Sequence, residues 1–314
     1  MTATVFIDGG AGTTGLEIRE RLADRAELTL LSLDDSERKD PEKRRDALNS
    51  ADFVILCLPD AAARDAIAMV SNPRTRIIDA STAHRIAESW TYGFAELEPG
   101  QREAIAGAAR VSNPGCYPTG FLALVRPLVR AGLIPHDWPL SVNAISGYSG
   151  GGRAMIAAFE DRSDADFTET AFQGYALGLA HKHVPEMQRH ARIAHPPIFA
   201  PAVARTYRGM IVEVPVPLFA LPRRPSLDAC ATALREAYRD SPLVTVAPAG
   251  NEGVVRIEED AASDRLTLRI CGNDETGQAR LIATLDNLGK GAAGAAVQNL
   301  NIMAGLEETS GLRV

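Results

Sequence analysis

Apolar and polar positions in the first third of the chain repeat as strand, loop and helix. Val5-Phe-Ile-Asp8 reads as a strand, Gly9-Gly-Ala-Gly-Thr-Thr-Gly15 as a loop, and Leu16 to about Leu22 as an amphipathic helix. Leu28-Thr-Leu-Leu-Ser-Leu33 predicts a second strand, ending at Asp34-Asp35. Asp52-Phe-Val-Ile-Leu-Cys-Leu-Pro59 is an almost unbroken apolar run, which a strand needs when helices cover both of its faces, and Cys57 within it reads as packing. Arg76-Ile-Ile-Asp-Ala-Ser81 predicts a further strand with small polar residues at its end. The alternation predicts an α/β, Rossmann-type unit with a parallel sheet.

Past residue 116 the pattern changes. Helices are expected at about Phe121–Ala131 and Arg153–Phe159. Strands are expected at Leu140–Ile145, Met210–Pro215, Val254–Ile257 and Arg265–Ile270. Several of these strands alternate apolar and polar residues, as an antiparallel sheet with one wet face requires. A second, α+β unit with a mostly antiparallel sheet follows. From Ala279 the chain returns to a strand and then to Gly289-Lys-Gly-Ala-Ala-Gly-Ala-Ala-Val-Gln-Asn299, a glycine-rich entry into a helix of small residues.

Composition narrows the classes of function. With 314 residues, 46% hydrophobic, the chain can bury a large core. A net charge of −7 supplies no basic field for nucleic acid or an anionic membrane. The expected partners are small molecules and other copies of the chain. Cysteines at 57, 116, 230 and 271 form no Cys-x-x-Cys pair, which argues against a zinc site and a disulfide scaffold and suits a reducing compartment. The start of the chain carries no charged-then-apolar leader, so it reads as cytoplasmic.

Gly10-x-Gly12-x-x-Gly15, with Thr13 and Thr14 between the last two glycines, has dinucleotide-binding spacing and the strand-before, helix-after setting that gives the spacing meaning. Asp34 stands where an acidic residue meets ribose hydroxyls, which points to NAD. Ser32, Arg38 and Lys39 stand close enough to hold a 2′-phosphate, which points to NADP. Loop ends such as Pro59 and Ser81 line the ligand side of such sheets.

Ser112-Asn-Pro-Gly-Cys-Tyr-Pro-Thr-Gly120 sets Cys116 in a Pro/Gly turn ahead of a helix, whose N-terminal amides favour thiolate over thiol. His181-Lys-His-Val-Pro-Glu186 supplies bases for such a nucleophile. Either His181 or His183 can pair with the sulfur, with Glu186 to orient the ring. Pro185 is expected to interrupt any helix here, and no further ligand cluster supports reading these residues as a metal site.

Four motifs, Ser112–Gly120, Ser146-Gly-Tyr-Ser-Gly-Gly-Gly-Arg153, His181–Glu186 and Gly289–Asn299, together resemble the N-acetyl-γ-glutamyl-phosphate reductases, and the short chain with Gly12-Thr-Thr-Gly15 resembles their compact subclass. The resemblance implies NADPH-dependent reduction of an acyl phosphate through a Cys116 thioester. It implies His183 as acid/base group, His181 and Tyr175 near the substrate, and Glu186 as orienter. Substrate contacts would come from Ser149, Arg153 and Lys182, and Asn299 would face the nicotinamide. Asp79-Ala-Ser-Thr-Ala-His-Arg85 departs from the commoner form, so substrate contacts are not carried over to Arg85. The implied domains are 1–115 with 290–314 for the dinucleotide and 116–289 for catalysis and oligomerisation, in a homodimer or homotetramer. Aspartate-semialdehyde dehydrogenases and reductases of carrier-bound aminoadipyl phosphate share the implied chemistry. A nucleotide sensor without catalysis is the alternative from another class.

Overall fold

A computed structural model describes residues 2–34, 36–248 and 253–314. Asp35 and the Lys39 side chain lie outside the described part. The chain divides into two compact units, one reaching to Gly115 and including Ala292–Leu312, the other comprising Cys116–Gly291 with Arg313–Val314.

The first unit holds six strands, β1 (Ala3–Asp8), β2 (Leu28–Leu31), β3 (Phe53–Leu56), β4 (Arg76–Asp79), β5 (Thr91–Tyr92) and β6 (Arg110–Ser112). They form a wholly parallel sheet in the order β2-β1-β3-β4-β6-β5. Its helices are α1 (Thr13–Leu22), α2 (Pro41–Ser50), α3 (Asp60–Met69) and α4 (Gln101–Gly107). Two apolar cores flank the sheet, one built on Ile18, Ile55, Ile105, Val297 and Leu300, the other on Phe6, Leu48, Val54, Ala63 and Ile77. The whole of β3 is buried, as its unbroken apolar run predicts.

The second unit carries β7 (Ser141–Gly147), β8 (Phe172–Gly174), β9 (Ile198–Ala204), β10 (Met210–Pro217), β11 (Val244–Val246), β12 (Leu266–Asn273) and β13 (Gln278–Leu285). The order is β11-β12-β13-β10-β7-β9-β8. Among its pairs β7–β9 and β11–β12 are parallel and the rest antiparallel. Its helices are α5 (Cys116–Arg130), α6 (Gly152–Glu160), α7 (Val184–Ala191) and α8 (Leu227–Ala237). α9 (Gly294–Ala304), rich in small residues, returns to the first unit and packs on α1 and α4.

Along β10, Met210, Val212, Val214 and Val216 are buried and the residues between them half-buried, so one face takes the core. Helix α5 closes that face at short range: a Cβ at Gly120 would stand 2.7 Å from Val212 Cγ2. Three expectations are corrected. The helix expected from Phe121 already begins at Cys116, because Pro118 falls in the first turn, where amide hydrogens have no partner to lose. Pro185 likewise opens α7, at its second position, rather than interrupting a helix. Val254–Ile257 forms no strand; Val254 is exposed, and the Ile257 carbonyl lies against Gly209, which only a glycine at φ +110° tolerates.

Candidate active site

The first unit presents a phosphate cradle. Asp8 ends β1, and Gly9 turns the chain at φ +82°, where a Cβ would stand 2.3 Å from the Cys57 carbonyl oxygen. A Cβ on Gly15 would meet Gly9 O at 2.6 Å, so α1 can lie this close to the loop only with glycine there. Gly12, the N-cap of α1, has no side chain to satisfy the first-turn amides, and Thr13 and Thr14 follow it half-buried. Uncapped amides at the positive end of a helix suit a pyrophosphate. Pro59 is exposed just past β3, at the N-cap of α3.

At the end of β2 the Arg19 guanidinium donates to Ser32 Oγ at 2.7 Å, and Gly10, Arg19, Ser32 and Arg38 line one small cavity. Arg19 was not singled out from the sequence; its signal is a cation on α1 one turn past Gly15. Asp34 is engaged elsewhere. Its Oδ1 accepts from Ser36 Oγ at 2.6 Å and from the amides of Ser36 and Glu37 at 2.8 Å, and the Ser36 hydroxyl leads in holding the carboxyl below its usual range.

Ser81 is buried and donates to Asp79 Oδ2 at 2.8 Å, while His84 Nδ1 meets the same oxygen at 2.6 Å and its ring stacks on Trp90. Arg85 gives its Nε to Asn113 O at 2.9 Å and an Nη to Ala80 O at 3.1 Å, so it braces the loop after β4. Asn299 is buried. Its Nδ2 donates to Gly93 O at 2.9 Å and to Asn113 Oδ1 at 3.0 Å, and its own Oδ1 accepts nothing from the described residues. That leaves one acceptor for a carboxamide donor. The glycine loop, the uncapped amides and the Arg19–Ser32 pair fit a dinucleotide.

The second unit gathers the thiol chemistry. Cys116 is the first residue of α5 and half-exposed. A Cβ on Gly291 would fall 2.7 Å from Cys116 Cβ, so the Gly289-Lys-Gly291 segment backs directly onto Cys116. Tyr117 carries the link to the histidines. Its buried ring lies 6.2 Å from His181, 5.8 Å from His183 and 5.1 Å from Phe199 between centroids. His181 and His183 stand 4.8 Å apart, and Tyr175 lies 5.7 Å from His181. Burial, and then the charge of Lys182, push the His181 imidazolium down to about 4. The ring is therefore neutral at working pH. Its Nδ1 accepts the His183 amide hydrogen at 3.2 Å, which places the ring proton on Nε2.

His183 is the buried N-cap of α7, with Glu186 buried in the first turn. Lys182 and Arg153 are exposed, Arg153 at the start of α6. Ser149 is buried; its Oγ accepts from Asn287 Nδ2 at 2.9 Å, and Asn287 Oδ1 takes the Gly209 amide at 2.9 Å. Asn287, Gly291 and Tyr117 were not named as site residues from the sequence, since packing against Ser149, Cys116 or the histidines leaves no local pattern.

Both units match known proteins along most of their length. Residues 4–108 match the NAD binding domain of semialdehyde dehydrogenase, and residues 116–287 its dimerisation domain. The chain belongs to the semialdehyde dehydrogenase family. Among its relatives, N-acetyl-gamma-glutamyl-phosphate reductase 2 of Nostoc sp. is 48% identical over 98% of both chains. N-acetyl-gamma-glutamyl-phosphate reductase of Brucella ovis is 51% identical over 97% of this chain and 100% of its own. The resemblance carried by the four motifs is thus matched along nearly the full length. Aspartate semialdehyde dehydrogenase II of Vibrio cholerae shares the fold, with a TM-score of 0.73 at 16% identity over 97% of this chain and 99% of that one. The Candida albicans enzyme, solved with NADP, gives 0.66 at 13% identity over 97% and 99%.

Proposed function

We propose that this family member reduces N-acetyl-γ-glutamyl phosphate to N-acetylglutamate 5-semialdehyde with NADPH, releasing phosphate, in arginine biosynthesis. The observation that carries the substrate is identity of about half over nearly the whole chain to two reductases of that name. The grouping of Cys116, Tyr117, His181 and His183 supports the chemistry.

His183 takes the Cys116 proton, and the thiolate attacks the acyl carbon. The carbon–oxygen bond to phosphate breaks, the phosphate leaves with the proton from His183, and a thioester remains on sulfur. Bound NADPH supplies the hydride. The resulting thiohemiacetal oxyanion on Cys116 is held by first-turn amides of α5 and by His181 Nε2–H, a fixed neutral donor, and collapses to the aldehyde and the thiolate. Glu186 orients His183, while the exposed Arg153 and Lys182 draw in the substrate's anionic groups and Ser149, fixed by Asn287, shapes their site. The unit reaching to Gly115 with Ala292–Leu312 holds the dinucleotide and the other carries catalysis and oligomerisation. The matched dimerisation domain supports a homo-oligomer, and four cysteines without a Cys-x-x-Cys pair suit a cytoplasmic setting.

NADP is preferred because Arg19, Ser32 and Arg38 converge on one cavity while Asp34 is tied into its own turn. The test is phosphate-dependent reduction of NADP⁺ with N-acetylglutamate semialdehyde, beside NAD⁺ and beside aspartate semialdehyde. Activity should require phosphate, the acetylated aldehyde and NADP⁺. Arg19→Ala should lower kcat/KM with NADP⁺ by roughly 10- to 100-fold, as loss of a charge-assisted contact does, and change NAD⁺ little. Turnover of aspartate semialdehyde alone would move the substrate to the sister enzymes. An equal loss with both cofactors would remove Arg19 from 2′-phosphate recognition.

A further inference from the structure

A cavity of about 330 Å³ opens in the second unit where the turn between β12 and β13 meets the segment leading from β10 into α8. Phe219, Arg224 and Ser226 line it from that segment, and Asp274, Glu275 and Thr276 from the turn. Small-molecule sites occupy about 300–1,000 Å³. The turn precedes β13 and the Gly289–Gly291 segment behind Cys116 follows it, so a strand of roughly 24 Å separates this cavity from the thiol.

The walls are braced through the backbone. Phe219 N–H donates to Gly277 O at 2.9 Å, and a Cβ on Gly277, at φ +61°, would stand 2.9 Å from Phe219 Cβ. Leu227 N–H donates to Asp274 Oδ1 at 2.9 Å and Ala229 N–H to Ser226 Oγ at 3.1 Å, so the start of α8 is already capped. Three charged groups remain in hand. The Arg224 guanidinium, the Glu275 carboxylate and Asp274 Oδ2 make no hydrogen bond or ion pair with a described residue, and opposite charges therefore line one cavity without meeting. Arg224 also holds φ +40°, a left-handed value that residues with a Cβ seldom take, while its amide is fixed to Leu221 O at 3.0 Å. Strain of this kind concentrates at ligand sites. Phe219 keeps 54% of its surface open beside these groups.

One guanidinium against two carboxylates calls for a ligand with one anionic and two cationic groups. We propose that this cavity binds a free basic α-amino acid, its carboxylate on Arg224, its two cationic groups at Asp274 and Glu275, and its aliphatic stem across Phe219. The ring face offers apolar surface to the stem and attraction to a cation passing over it. A simple anion would meet two carboxylates, with the α8 amides spent on their caps. A simple cation would leave Arg224 unpaired. The site stands apart from the thiol chemistry and does not depend on the substrate proposed above.

The test is isothermal titration of the whole chain with L-arginine and L-lysine, beside agmatine, which lacks the carboxylate, and norleucine, which lacks the side-chain cation. Both basic amino acids should bind saturably, one per chain, with agmatine roughly 10-fold weaker than L-arginine and norleucine weaker by two- to fivefold or more, roughly the worth of one exposed ion pair. Arg224→Ala should weaken L-arginine roughly 10-fold and leave agmatine unchanged. Phe219→Ala should cost roughly two- to fivefold. Arg224 is exposed and one strand away from Cys116, so kcat without the amino acid should stay within about twofold of the wild type. L-Arginine should raise the thermal midpoint of the wild type and do so less in Arg224→Ala. No saturable heat with either basic amino acid would overturn the proposal. So would an L-arginine affinity untouched by Arg224→Ala, which would place the ligand elsewhere, or equal affinities for L-arginine and agmatine, which would remove Arg224 from carboxylate recognition.

Discussion

Cys116→Ser should abolish turnover, with a loss of at least about 10⁴-fold, while leaving NADPH affinity within about twofold of the wild type. The hydroxyl keeps the size and the place of the thiol at the start of α5, so packing against Gly291 should survive. What is lost is a group that can be an anion at neutral pH beside a histidine and can later leave from a thiohemiacetal. An alkoxide is far harder to form, and an ester resists hydride more than a thioester does. Steady-state NADP⁺ reduction and a fluorescence titration of NADPH measure the two halves of the prediction separately. Residual activity within about 100-fold of the wild type would rule out covalent catalysis at this sulfur.

The parallel sheet was legible because its strands carry their own signals. β3 is apolar throughout, and the glycine loop follows β1 at the one spacing that lets α1 begin at Thr13. The second sheet was harder to read. β8 and β11 are three residues each and exist only through pairing with β9 and β12, so no local period announces them. Val254–Ile257 shows the converse, an apolar run with strand character and no partner strand. The start of α5 is masked in the sequence for a related reason. Pro118 and Gly120 look like turn residues in sequence, yet one sits where its missing N–H costs nothing and the other where its missing Cβ admits Val212.

Residue type and spacing suggested the nucleophile and both histidines, and could not divide the work between the histidines. In the proposed mechanism that division depends on a backbone contact, His183 N–H to His181 Nδ1, and on burial, neither of which has a sequence signature. The same holds for Asp34. Its position after β2 suits a ribose contact, while the amides of Ser36 and Glu37 engage it in a turn that only coordinates reveal. Arg19 could have been suspected as the cation on α1 that faces the end of β2. Tyr117, beside the cysteine in the motif, reads as packing until its hydroxyl is followed to Ala202.

His183→Asn should lower kcat by roughly two to four orders of magnitude, the contribution of a positioned acid/base group. His181→Asn should act chiefly on KM. The asymmetry follows from protonation. With its imidazolium pushed down to about 4, His181 carries no proton to exchange between about pH 5 and 8 and cannot both accept the thiol proton and return it. Lowering the pH from 8 to 5 should leave its ring resonances at their neutral positions, because its folded-state transition lies below that range. A structural role for His183, as N-cap of α7, would lower stability and alter Cys116 alkylation little. An acid/base role predicts the reverse, a thermal midpoint near that of the wild type with Cys116 alkylation slowed at neutral pH and recovering as the pH is raised until the thiol ionises unaided. If the large loss falls on His181→Asn and not on His183→Asn, the proton passes through the other histidine and the neutral-donor role of His181 fails with it.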